Sequence, residues 1–252
     1  MGKQQGGAPQ MNIKNIIIIV IIIIILYVLI YSIYKSMQAN NTANSQSPVI
    51  VSTIIDAYNA QNPVSVSVPT SGLGQSISTW IYVTDWNYNF GSYKPILIEG
   101  SLDSTAMPRN FYPGLFLYPD TNALKVITLT TTGEESCDVQ NIPLQKWVHI
   151  CYVLDNRNVD IYIDGKLERS CALKGIPQIG SVGATTNNIY ITPGSPPGFM
   201  GKIGRTQYFT YTIQPNKVVD LYQHGPVGSS QYKVQFFQNG QIINFQAQSI
   251  NS

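Results

Sequence analysis

The stretch WVHICYVLDNRNVDIYIDGKLERSC, Trp147 to Cys171, decides the fold. From Trp147 to Leu154 the residues alternate: Trp147, His149, Cys151 and Val153 point one way, and Val148, Ile150, Tyr152 and Leu154 the other. Both sets are largely apolar, which is the pattern of a strand covered on both faces inside a layered sandwich. Asp155-Asn156-Arg157-Asn158 reads as a hairpin turn. Val159, Ile161 and Ile163 then return as an inward row, and Asp164-Gly165 makes a second tight turn into Lys166–Cys171. The stretch therefore reads as a three-stranded antiparallel meander.

Strand signals continue on either side of it. Val49–Ile55 and Val64–Val68 are short β-branched runs. Ser76–Val83 sets Ile77, Thr79, Ile81 and Val83 against Ser78, Trp80 and Tyr82. Trp80 and Trp147 are expected in the core. Asp85–Tyr93 is an aromatic, turn-rich loop, and Pro95–Glu99, Gly114–Tyr118 and Leu124–Thr131 are strand candidates. Beyond the meander come Ile189–Ile191 and Gly201–Tyr211, the latter read as one strand with Ile203, Arg205, Gln207, Phe209 and Tyr211 on one face. Gln214–Gln223 reads as a helix, with Pro215 in its first turn and Gly225-Pro226 ending it. Tyr232–Phe245 is two alternating arms around Asn239-Gly240, a hairpin. No internal repeat or heptad pattern is visible.

One segment is of a different kind. Ile16–Ile33 is a nearly unbroken isoleucine run without charge, Pro or Gly. As a helix, about 18–20 such residues rise roughly 27–30 Å, the thickness of a bilayer's hydrocarbon core. The run reads as an uncleaved membrane anchor, with Ile16, Ile19, Ile23, Leu26, Ile30 and Ile33 facing lipid. A signal peptide is the nearest rival, but its apolar part is shorter, about 7–15 residues, and ends at a small-residue cleavage site. Lys3 and Lys14 precede the run and only Lys35 follows closely, which favours a cytoplasmic N-terminus. Met1-Gly2 begins like a myristoylation signal, but Gly6 stands where Ser or Thr is required. Ala39–Ser47 reads as a flexible linker that includes the sequon Asn40-Asn41-Thr42.

Composition narrows the function. The formal net charge is +2 and the cations are scattered, so nucleic acid is not an expected partner. Of the three cysteines, Cys151 lies in an apolar strand and reads as a buried thiol. Cys137 and Cys171 lie at segment ends and are the best pair for a disulfide in an oxidising compartment; in a reducing one, all three are free thiols. Without a CxxC pair and with two isolated histidines, His149 and His224, no metal site and no cofactor are expected.

Four strings carry a resemblance: Ser78–Val83, Gln145–Ile150, Asp160–Leu167 and Gly201–Gly204. Together they resemble the laminin G/concanavalin A-like jelly roll, over roughly residues 50–226. The resemblance implies an all-β fold, a two-sheet antiparallel jelly-roll sandwich behind a single transmembrane helix. The expected division is a polar tail at 1–12, the helix at 13–34, a linker at 35–48 and the jelly roll at 49–252, with the C-terminal hairpin at about 231–246. The anchor, the string Cys137–Trp147 and the ending Leu221–Pro226 further resemble membrane-anchored jelly-roll proteins of large nucleocytoplasmic DNA viruses of algae and protists.

That superfamily holds lectins, adhesive modules and glycoside hydrolases. Hydrolysis needs two carboxylates roughly 5–9.5 Å apart. Glu134-Glu135 are adjacent, point opposite ways and are expected in a turn; Asp160 and Asp164 share a strand face, but Asp164 belongs to the Asp-Gly turn. His149 reads as a packed histidine. Glu99, Asp103, Asp120 and Asp155 offer oxygens for calcium without a distinguishing spacing. The loop aromatics Trp86, Tyr88, Tyr93, Phe111 and Tyr112 are candidate glycan or partner contacts. The expected function is non-enzymatic: a structural virion protein, a minor capsid component tethering capsid to inner membrane, whose partners are the lipid bilayer and capsid or virion membrane proteins. A lectin-like glycan-binding module is the alternative and a glycoside hydrolase the remote one.

Overall fold

A computed structural model describes residues 13–69, 73–102, 108–180, 184–194, 197–227, 233–238 and 241–246. In chain order the elements are α1 (Ile13–Gln46), β1 (Val49–Val51), β2 (Ile55–Asp56), β3 (Val64–Ser67), β4 (Gly74–Asp85) and β5 (Lys94–Leu102). Next come β6 (Pro108–Arg109), β7 (Gly114–Leu117), β8 (Leu124–Thr130), β9 (Gly133–Val139), β10 (Trp147–Asp155), β11 (Asn158–Ile163) and β12 (Lys166–Ala172). The last are β13 (Thr186–Ile191), β14 (Met200–Ile203), β15 (Thr206–Phe209), α2 (Pro215–Gln223), β16 (Lys233–Gln238) and β17 (Gln241–Gln246). The chain divides into two compact units, 1–44 and 45–252.

The first unit is helical. Within α1, Ile18–Gln38 has the length and composition to cross a membrane. Ile19, Ile23, Leu26, Ile30 and Ile33 are all exposed, an apolar surface of the kind that marks a membrane or protein contact; the side chain of Ile16 lies outside the described residues. The helix does not stop where the apolar run stops. It continues to Gln46, so most of the stretch expected as a flexible linker is helical. The physical reason is that Lys35–Ser47 contains neither Gly nor Pro, and Pro48 is the first residue that cannot continue the helix.

The second unit is a sandwich of two antiparallel sheets. The first has the order β1-β15-β4-β10-β11-β12, with β14 and β2 joined beside β4; the second has the order β3-β13-β5-β7-β8-β9, with β6 on β5. β16 and β17 pair with each other in a separate two-stranded sheet, and the Asn239-Gly240 turn between them lies outside the described residues. The meander is present with both turns. Asn156 (φ 54°) opens one, and Asp164 (φ 49°) with Gly165 (φ 77°) makes the other, the left-handed pair a two-residue hairpin requires.

β10 is covered twice. Val148, Ile150, Tyr152 and Leu154 lie between the sheets with Ile77, Ile81, Leu115, Val126, Val159 and Ile161. Cys151 and Val153 lie on the opposite face, in a second cluster with Tyr162, Phe209, Ile213 and the α2 residues Val218 and Leu221. Trp80 is buried on this same outer face, its ring stacked 5.6 Å from Tyr222, rather than between the sheets. Trp147 is only half-buried and meets Tyr82 edge to face at 5.6 Å.

Three further expectations change. Val49–Ile55 is two strands, β1 and β2. Gly201–Tyr211 is also two, β14 and β15, because the chain breaks at Gly204-Arg205, whose N–H groups bond the carbonyls of Trp80 (2.8 Å) and Pro226 (2.6 Å). A Cβ at Gly204 would stand 2.7 Å from the Pro226 oxygen. The break shifts the face by one residue, so Ile203 and Tyr208 enter the main core while Phe209 turns outward under α2. Third, Glu134 and Glu135 do not sit in a turn but on β9, a strand hidden by its polarity: only Cys137 and Val139 of Gly133–Val139 are buried.

β9 and β12 are edge strands of opposite sheets, and the bond between Cys137 and Cys171 (Cα–Cα 5.9 Å) ties those edges together. Glu135 reinforces the same side. Its carboxylate accepts the N–H groups of Lys174 and Gly175, both at 2.8 Å, and the hydroxyls of Thr130 and Thr132. Desolvation pushes its pKa up, but these bonds outweigh it and hold the group at about 2.

Between the sheets lies a polar group as well. Glu99 is fully buried; its Oε1 accepts Asn187 Nδ2 (2.8 Å) and the Tyr208 hydroxyl (3.3 Å), while Oε2 has no hydrogen-bond partner among the described residues. The Gln75 amide donates to the Tyr112 carbonyl, and the Thr128 and Tyr152 hydroxyls meet at 3.2 Å nearby. Burial raises the Glu99 pKa to about 8, against the pull of the hydrogen bonds.

The folded protein therefore holds a proton on Glu99 that the unfolded chain releases above pH 4.5. The stability that Glu99 contributes is full below that pH and falls as pH rises toward 8. Glu99→Gln keeps the neutral form, so denaturant melts should find it more stable than the parent at pH 8.5, by on the order of 2–4 kcal/mol, with little difference at pH 4. Equal pH dependence in both proteins would refute this. Replacing both Cys137 and Cys171 by Ser opens a loop of sequence separation 34 and should cost about 3–4 kcal/mol in the same assay.

Candidate functional site

The two outer faces differ. That of the first sheet is covered by α2. That of the second carries a strip of rings. Register places Pro95, Phe116, Lys125 and Asp138 in one cross-strand row, facing away from the inward row of Leu117, Leu124 and Val139. Tyr118 follows Phe116 by two positions and Tyr93 precedes Pro95 by two, so both rings join the same face. Phe111 meets Phe116 edge to face at 5.4 Å, Phe116 meets Tyr93 at 6.4 Å, and Tyr93 meets Tyr118 at 5.4 Å. Gly114 makes room for this: a Cβ there would stand 2.6 Å from the Phe116 ring and 2.8 Å from that of Phe111.

Charge is set among the rings. The Lys125 ammonium lies 5.0 Å from the Tyr93 centroid and 5.9 Å from that of Tyr118, and 3.4 Å from the Tyr93 hydroxyl. The Tyr118 hydroxyl donates to Asp138 Oδ2 at 2.5 Å, a bond that, with burial, raises the tyrosine's pKa and keeps it a donor. The surface thus offers fixed aromatic faces beside one cation. It suits stacking and hydrogen bonding.

Of the five loop aromatics, Tyr93 and Phe111 belong to this strip. Tyr112 does not. It is 4% exposed, its N–H and carbonyl engaged by Glu99 and Gln75, so it is no contact residue. Trp86 packs against the main core beneath the Lys94 ammonium, 5.3 Å from the ring centroid. That ammonium donates to the carbonyls of Tyr118 and Pro119; desolvation lowers its pKa and Asp120 pulls it back up. Tyr88 is half-buried and makes none of the strip's ring contacts. Phe116, Tyr118, Lys125 and Asp138 were not singled out by sequence. Their alternation was visible, but the pairing of β7 with β8 and of β8 with β9 that assembles them was not.

The candidate carboxylates have other tasks. Asp164 pins its turn: Oδ1 accepts the His149 N–H at 2.9 Å and Oδ2 pairs with Lys146 at 3.2 Å. Asp160 is half-buried on β11. Glu99 is interior, Asp155 ends β10 and accepts the Asn156 amide, Asp120 lies in the exposed loop after β7, and Asp103 is outside the described residues. Among the described residues no three His, Cys, Asp or Glu side chains gather as a metal site. His149 is buried with its ring centroid 5.1 Å from Trp80 and its Nε2 2.8 Å from Ser78 Oγ. Burial lowers its pKa to about 4 despite Asp164, so it is a neutral packed ring at pH 7.

Residues 56–219 match the family model described as the concanavalin A-like lectin/glucanases superfamily. No curated relative matches the chain. Among solved structures, the receptor binding domain of botulinum neurotoxin D matches at 12% identity with a TM-score of 0.51, over 70% of this chain and 47% of that one. The botulinum neurotoxin serotype G binding domain matches at 15% identity with a TM-score of 0.50, over 70% and 46%. This chain spans less than half the length of either, and at these identities the likeness is one of fold. With more than half of its length matched by the family model, the chain belongs to the concanavalin A-like lectin/glucanases superfamily.

Proposed function

We propose that this chain is a non-enzymatic binding module fixed to a membrane by α1. The observation that carries this reading is the union of a helix whose Ile16–Ile33 run holds no charge, long and apolar enough to cross a membrane, with a sandwich that carries a strip of packed rings on one outer face. Asp164 serves its turn and Glu99 the interior, which argues against hydrolysis. In its finer form the module is a structural virion protein, a minor capsid or capsid-to-inner-membrane tether; the strings Cys137–Trp147 and Leu221–Pro226 support that form. Lys3 and Lys14 ahead of the apolar run favour a cytoplasmic N-terminus, and the Cys137–Cys171 bond suits a domain on an oxidising side.

A second reading, a lectin-like module, is favoured by the ring strip on the second sheet. It leaves the anchoring unchanged and differs in what the domain holds.

Expressed in cells, the full chain should stay in the membrane pellet after an alkaline wash at its intact mass of 27.9 kDa. A mature protein beginning beyond Ala39 would show a cleaved signal and overturn the anchor. In purified particles, cross-linking should join it to capsid or inner-membrane proteins; its absence from the particle would remove the virion form.

A further inference from the structure

We propose that the strip Phe111–Phe116–Tyr93–Tyr118 with Lys125 is a glycan-binding site in which the apolar face of one pyranose ring stacks on Tyr93. The inference rests on the lectin-like reading above and names its site and ligand class.

Tyr93 is the ring that stands out, at 39% exposure, whereas Phe116, which it meets edge to face, is only 6% exposed. Its position is set by neighbours on two sides, Phe116 and Tyr118, so little side-chain freedom remains to be lost on binding. A pyranose has a face of C–H groups and an edge of hydroxyls, and it needs an aromatic plane with hydrogen-bonding groups at its border. Lys125 supplies them at the hydroxyl end of the ring, its ammonium 5.0 Å from the Tyr93 centroid and 3.4 Å from the hydroxyl. Its ammonium has three donors, and the one side-chain hydrogen bond described for it is the long contact to the Tyr93 hydroxyl.

Other occupants fit less well. A stable protein partner buries about 800 Å² on each side around large anchors, and one exposed ring over a buried one is far smaller than that. A polyanion would meet one cation with Asp138 beside it in the same cross-strand row. A neutral hexose, or a sugar carrying a single carboxylate, suits one ring, one ammonium and one neighbouring acid.

The test is binding of the full chain in detergent micelles to an immobilised panel of neutral and carboxylated glycans. Tyr93→Ala should lose roughly ten-fold or more in affinity, while Tyr93→Phe keeps the parent's binding. Lys125→Ala should weaken carboxylated glycans more than neutral ones. Phe90→Ala removes a 63% exposed ring from the neighbouring loop and should change nothing. Thermal melts of each variant control for folding; Phe90 and Tyr93 are exposed and Lys125 is half-buried. A parent that binds no glycan overturns the lectin-like reading and the site together. Parent binding that survives Tyr93→Ala, or is lost with Phe90→Ala instead, overturns this site and leaves the reading standing.

Discussion

β10 has water on neither face, and the rest of the domain follows from that constraint. Its even-numbered residues Val148, Ile150, Tyr152 and Leu154 need an apolar cover, which the second sheet provides. Cys151 and Val153 need another, which α2 provides through Val218 and Leu221. A strand of this composition left with one face in water would expose several large side chains, each worth about 1.5–3 kcal/mol when buried. The sandwich and its added helix are thus two answers to one strand.

Covering β10 twice makes the two sheets unequal. The first sheet's outer face is occupied by α2, Trp80 and Tyr222. On the second sheet the outer rings pack on one another instead. That packing is incomplete: Tyr93 has Phe116 and Tyr118 beside it and the Lys125 ammonium 5.0 Å from its centroid, yet stays 39% exposed. The proposed recognition site lies there, at the ring that keeps this exposure. The interior shows the opposite case: Glu99, Gln75, Asn187 and Tyr208 are polar groups whose partners are all supplied from inside, apart from one carboxyl oxygen.

The sandwich is further held where its edges meet. β9 and β12 would each present an unpaired edge, and the covalent link between Cys137 and Cys171 joins the two. Glu135, on the same strand as Cys137, secures the segment after β12 through two backbone N–H groups. Cross-link and carboxylate act on one seam from two residues apart.

The sequence by itself determined whatever depends on period and local turn chemistry. The β10–β12 meander, its two left-handed turns, the apolar helix and the start of α2 at Pro215 all follow from alternation, from Asn and Gly at turn positions, and from Pro. It missed what period alone cannot encode. The strand at Gly133–Val139 is polar on its exposed side, and the face reversal between Ile203 and Phe209 arises from a break that only the close approach of Gly204 to Pro226 explains. Of the recognition strip, Tyr93 and Phe111 were legible as loop aromatics, whereas Tyr112 was indistinguishable from them in sequence and is buried. Phe116, Lys125 and Asp138 come from three strands and Tyr118 from the segment just after β7, and only tertiary structure put them together, because cross-strand register is set by the packing of two sheets and not by any residue's neighbours in the chain.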